Sequence, residues 1–226
     1  MSTASLTRLL QLTSPALPVG AYSYSQGLEW AIEAGTVSDA ASAARWICDA
    51  LRFVVGSFEG PMLTRMLNAW RAADGATLAD LNAHFLASRE TAELRAETSQ
   101  MGYSLARLLG ELDEFPIAPK TMLDDIDEPA FPTVWSCAAA AWNIDSEQAL
   151  TAYLWAWCEN QVMAALKAVP LGQAAGQRML LHLGSELPPI VANALAMSEE
   201  RLSNFAPGAA IASSRHETQY SRLFRS

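Results

Sequence analysis

Charge is scarce in this sequence: Asp, Glu, Lys and Arg make up 17% of 226 residues, against about 25% in an average soluble domain. Less surface than usual is protected by charge, which leaves apolar patches for partners. Positive charge is scarcer still, with 15 Lys and Arg against 24 Asp and Glu and a formal net charge of −9. Neutralising nucleic-acid phosphates needs a basic face, so the balance argues against a nucleic-acid binder. There are three cysteines, Cys48, Cys137 and Cys158. An odd number so widely separated reads as reduced thiols in a cytoplasmic protein, not as a disulfide framework. Small buried hydrophobes describe them better than ligands do. His84, His182 and His216 are isolated, and no Cys or His pair has metal-ligand spacing. The most apolar run, Phe131 to Trp142, falls short of the roughly 20 residues that span a bilayer, and no secretory signal opens the chain.

Catalytic signatures are missing as well. No G-x-x-x-x-G-K occurs, and GQAAGQ from Gly172 to Gln177 has the glycines without the lysine. Ser23 and Ser25 stand beside Gly27 but form no G-x-S-x-G elbow, so capping is the better reading of both. No catalytic residue, metal ligand or cofactor is expected.

What is present is apolar helix. Hydrophobic residues make up 51%, many of them alanine, and no convincing run alternates β-branched residues. The expectation is an all-α protein, one domain of about ten helices over residues 1–226 with an irregular tail from about 214 to 226. Leu6, Leu9 and Leu10 suggest a short first helix. Ser38 caps a helix through Ala44, Ile47, Leu51 and Val54, and Pro61 opens a new one bearing Leu63, Met66, Leu67 and Trp70. Thr77 and Asp80 start a helix with Leu78, Leu81 and Phe85; another runs from about Thr91 to Leu109, ended by Gly110. Residues Glu111 to Pro132 carry four prolines and an acidic cluster, the mark of a surface loop. Helix resumes from Thr133, and Asp145 with Gln148 starts a helix that Pro170 stops. Two helices, Gly172 to Leu183 and Pro188 to Met197, and a short one between Pro207 and His216 complete the chain.

The densest stretch is Ser14 to Trp30, SPALPVGAYSYSQGLEW. Pro15, Pro18 and Gly20 force a loop, and Ser23 with Gln26 matches a capping box at the start of a helix ending near Gly35. Three features suit a binding protein. Tyr22, Tyr24 and Glu29 form an aromatic and acidic set, for which core packing is an equal reading. Lys167 is the only charge between Val162 and Leu171, for which a solvated helix end completing the C-terminal dipole is an equal reading. In the tail, Arg215, His216, Arg222 and Arg225 interleave with Tyr220, Leu223 and Phe224, a composition that binding hot spots favour.

SPALPVGAYSYSQGLEW resembles the N-terminal signature of the UreF family of urease accessory proteins. QMGYSLARLL from Gln100 to Leu109, AVPLGQ from Ala168 to Gln173 and the terminal SRLFRS are similar to the family in the same order and at similar spacing. One departure is Gln26, at a position where many members carry His. The resemblance implies an all-α, UreF-like helical bundle that forms a homodimer and catalyses nothing itself. It implies a bridge between UreD, called UreH in some systems, and the GTPase UreG, coupling GTP hydrolysis to nickel delivery into apo-urease subunits. Carried onto this sequence, it places UreG binding at Lys167, Asp80, Tyr22, Tyr24, Ser25 and Glu29. UreD binding falls to the tail, with Arg215, Tyr220, Leu223, Phe224 and Arg225, expected to order in that complex. Arg178 and His182 fall in the helix assigned to the dimer interface. The alternatives are a general all-α adaptor unconnected with nickel, or an enzyme with a pocket near Trp142, Trp155 and Trp157.

Overall fold

Caps and glycines set the helix boundaries of a computed structural model that describes residues 2–226. Among these residues there is no strand, and the helices are α1 (Thr3–Thr13), α2 (Leu28–Glu33), α3 (Ala40–Ala50), α4 (Gly60–Ala72), α5 (Gly75–Ala87), α6 (Ala92–Glu111), α7 (Ile117–Asp124), α8 (Phe131–Ala141), α9 (Ser146–Ala168), α10 (Gln173–Ala196) and α11 (Pro207–His216). Because α3 and α4 are continuous, the eleven segments make ten helical bodies, and the all-α expectation holds. Side chains supply several N-terminal caps. Asp39, Asp74, Thr91 and Asp145 each accept a main-chain N–H of the first turn. Two expected starts therefore move: Asp39 and not Ser38 begins α3, with Ser42 answering as the other half of a capping box, and Asp74 begins α5 ahead of Thr77. Gly35, at φ +73°, closes the turn after α2 as expected.

Pro61 does not open a new helix. Residues Leu51–Glu59 wind in π register and carry the rod from Ala40 to Ala72 unbroken. A proline in a helix leaves the carbonyl four residues earlier without its donor. Here that carbonyl belongs to Ser57, and it accepts from the Ser203 N–H at 3.2 Å while the Ser57 hydroxyl donates to Ser203 O at 2.7 Å. Ser203 thus satisfies the carbonyl that Pro61 leaves free. Likewise α10 continues across Pro188 and Pro189, where two helices were expected. It presses Ile190 onto Gly56, where a Cβ would lie 2.5 Å from Ile190 Cγ2. The acidic loop is only partly a loop, since α7 forms inside it and α8 begins at Phe131.

Helices α4, α8 and α9 form the centre, with α6 on α8, α5 on α4 and α10 along both α9 and the rod. Leu63, Met66, Leu105, Val134, Trp135 and Leu154 are among the buried side chains of that core. Gly102 lets α6 lie against the start of α8: a Cβ there would meet Pro129 O at 1.9 Å. Alpha-helix α2 sits between α9 and α11, and so fixes the signature segment to the end of the chain.

Candidate functional site

The signature segment begins as a loop because Gly20 and Gly27 take positive φ and Gln26 joins them at φ +53°. The expected Ser23–Gln26 capping box does not form. A short 3₁₀ turn occupies Ala21–Ser23, and α2 starts at Leu28 behind Gly27, with the Ser25 hydroxyl accepting from Glu29 N–H at 3.3 Å. Gln26 serves otherwise: its amide donates to Glu97 Oε1 at 2.7 Å and accepts from Trp157 Nε1 at 2.8 Å, linking α6 to α9. Gly27 is obligatory here for a second reason, because a Cβ would come within 2.8 Å of the Ser213 nitrogen in α11.

The tail after α11 is irregular, as expected, and it packs on this segment of its own chain. Arg225 N–H donates to Ser23 O at 2.8 Å, and Ser226 O accepts from Ser25 N–H, Gln26 N–H and the Ser25 hydroxyl at 2.7, 3.0 and 2.6 Å. Glu29 accepts from the N–H groups of Leu223 and Phe224 at 2.6 and 3.0 Å. The Ser226 hydroxyl donates to Glu97 Oε2 at 2.7 Å. Phe224 is buried, and Lys167 Nζ stands 4.7 Å from its ring centroid, a cation on an aromatic face. Beside these lies His216, fully buried, with Nδ1 2.6 Å from Glu93 and Nε2 3.1 Å from Glu29. Each ring nitrogen thus faces one carboxylate oxygen. Arg222 completes the group at 2.5 Å from Glu93.

Behind the segment a cavity of about 210 Å³ runs between α1, α6, α8 and α9, lined by Leu12, Val19, Met101, Phe131 and Trp135. Its polar wall holds Gln26, Glu97 and a buried ion pair, Arg89 to Glu59 at 2.7 Å, with the Tyr153 hydroxyl donating to the same carboxylate at 3.2 Å. Burial pushes Glu97 up to about 7; the Ser226 and Gln26 donors and the Arg89 charge pull it the other way, and the Glu59 charge adds to the rise. Burial likewise raises Tyr153 well above its ordinary value, reinforced by the Glu59 charge. The same cause lifts the thiols of Cys137 and Cys158 to about 12.

The structure brings together most of the residues singled out in the sequence. Tyr24, Ser25 and Glu29 are buried beneath the tail, Tyr22 is exposed beside them, and Lys167 touches Phe224. Tyr220, Leu223 and Arg225 project to solvent from the docked tail, and Arg215 from the last turn of α11. Asp80 stands apart, exposed on α5 in a groove with Arg65, Asp74 and Glu199. Arg178 and His182 are exposed on α10, flanking Leu181, which is 76% exposed. Sequence reasoning missed Glu93, Glu97, Arg89 and Glu59, and read His216 as an isolated histidine within the basic tail, without a carboxylate partner. The i, i+4 spacing of Glu93 and Glu97 on α6 was the available signal. The three tryptophans of the enzyme alternative do not form one pocket: Trp142 packs edge-on against Phe115 at 5.9 Å, Trp155 lies against Gly184, and Trp157 faces the cavity. Among the described residues no helix is long and apolar enough to cross a membrane, and no group of three or more His, Cys, Asp or Glu is placed to hold a metal ion.

The UreF family model matches residues 37–184. This chain belongs to the UreF family. Its match to individual UreF proteins also takes in the signature segment and the tail. It is similar to the urease accessory protein UreF of Azoarcus sp. (strain BH72), 63% identical over 223 residues that cover 98% of this chain and 95% of that protein. The protein of the same name from Dechloromonas aromatica (strain RCB) is 61% identical over 222 residues, covering 98% and 97%. That of Methylobacillus flagellatus is 53% identical over 222 residues, covering 98% of each.

Proposed function

We propose that this chain serves urease maturation in the cytoplasm as a helical scaffold that catalyses no reaction itself. The carrying observation is its identity of 63% to a urease accessory protein over 98% of its length. In this reading the docked tail offers Tyr220, Leu223 and Arg225 to UreD, or UreH, and the neighbouring face of Tyr22 and Lys167 meets the GTPase UreG. The exposed Arg178, Leu181 and His182 face of α10 pairs two copies of the chain. Nickel is the cargo delivered to the apo-urease subunits, and GTP hydrolysis on UreG is coupled to its release because the scaffold favours one conformation of the GTPase. The burial of Tyr24, Ser25 and Glu29 under the tail gives them a supporting role: they shape both surfaces from beneath.

Contact between Lys167 and Phe224 supports an adjacency of the two partner surfaces, since one exposed cation touches the tail and still reaches solvent. The direct test is activation of apo-urease with nickel, GTP, UreD and UreG in a defined mixture, with and without this chain. Activation that depends on the chain supports the reading. Equal activation without it, or GTP hydrolysis by the isolated chain, refutes it.

A further inference from the structure

Three carboxylates receive the donors of the tail, and they are not equivalent. Glu29 and Glu93 each touch a cation or a ring that can carry a proton: His216 lies between them and Arg222 is on Glu93. Glu97 touches none, because its two oxygens accept from the neutral Gln26 amide and the neutral Ser226 hydroxyl. The ionisable groups coupled to it by charge are Tyr24 from the signature segment, Glu59 from the π turn, Arg89 before α6 and Tyr153 from α9. The one cation of that set, Arg89, is committed to Glu59. Arg225, on the tail itself, lies against Tyr24. A charge on Glu97 is therefore held by two neutral donors at a residue that keeps only 7% of its surface exposed.

Ser226 has no exposed surface and covers Glu97 Oε2. Water reaches that oxygen when the tail lifts. We propose that the tail is a proton-linked latch, closed over Glu97 while that carboxyl is neutral and released as it ionises. The closed site suits the neutral carboxyl, which can donate to the Ser226 oxygen while still accepting from Gln26. The elevation of Glu97 to about 7 under burial agrees with this. The latch is a property of the isolated chain and does not rest on the partners proposed above.

The sign follows from linkage. With the tail closed the carboxyl titrates near 7; open to water it returns towards its ordinary 4.5. Below the lower value both forms are neutral and closure is at its strongest. Between the two values the open form ionises first, and closure weakens about tenfold per pH unit, about 300-fold in total. Above the higher value both forms are ionised and the dependence ends.

The test is amide hydrogen exchange at Leu223 and Phe224 in the full chain from pH 4.5 to 8.5, corrected for the intrinsic rate. In the wild type their protection falls with that slope and levels off above pH about 7.5. Glu97→Gln places a neutral amide that accepts from Gln26 and donates to Ser226, and its protection stays within about threefold of the low-pH value throughout. Wild-type protection that does not change with pH, or a variant that loses protection in parallel with the wild type, overturns the latch. If Glu97→Gln does not fold, titration of the Glu97 carboxyl by carbon NMR in the wild type decides: a midpoint near 7 supports the proposal, and one near 4.5 overturns it.

Discussion

Replacing Phe224 with Ala isolates the apolar anchor of the tail. The ring keeps 5% of its surface exposed and lies under Lys167 Nζ at 4.7 Å. Losing its burial costs about 2–3 kcal/mol, and losing the cation–aromatic contact with an exposed lysine costs about 0.5–1 kcal/mol. A total of about 3 kcal/mol is a factor of about 150 in the docking equilibrium. The assay is hydrogen exchange at the Leu223 N–H, whose acceptor is Glu29. Phe224→Ala is expected to lower its protection about 100-fold, while core amides such as Leu105 and Val134, which exchange through global unfolding, fall by no more than that and stay far better protected than the tail. Unchanged protection at Leu223, or core amides that become no better protected than Leu223, would refute the picture of a locally anchored tail.

Other perturbations separate the remaining parts of the account. Gly102→Ala drives a methyl into the Pro129 carbonyl, at 1.9 Å, and should cost about 2 kcal/mol or more in urea unfolding; Gly110→Ala meets nothing within 4 Å and should be neutral or stabilising. Arg89→Ala strands the buried Glu59 carboxylate with Tyr153 as its remaining partner, for an expected loss of about 3–5 kcal/mol. The three cysteines are buried, and burial raises all three thiols. A disulfide reagent at pH 8 should therefore label none of them quickly in the native chain and all of them in denaturant; rapid native labelling would contradict this packing.

Local rules carried the sequence reading where the rule was local. The turn at Gly35, the cap at Asp145 and α11 between Pro207 and His216 all stand where short-range chemistry put them. The reading failed where a distant residue changed the outcome. Pro61 is absorbed because Ser203, far along the chain, takes the carbonyl it leaves free. The Ser23–Gln26 box is lost because the backbone nitrogens of Ser25 and Gln26 serve Ser226, and the Gln26 side chain serves α6 and α9. The site shows the same division. Its residues were visible as dense motifs at the two ends of the sequence, yet nothing in either motif states that Glu29 accepts from Leu223 and Phe224. Glu97 was overlooked because an i, i+4 pair of glutamates on an amphipathic helix resembles a solvated face until a tail covers it.

Under the proposed function, the tail docked on its own signature segment forms a surface that the other urease maturation proteins use. Nickel-dependent urease activation with Phe224→Ala in place of the wild-type chain tests it most directly. A large loss of activation is expected, with helical circular dichroism retained and the thermal midpoint lowered by about 6–12 °C. Full activation by this variant, with its tail shown by exchange to be undocked, would contradict it.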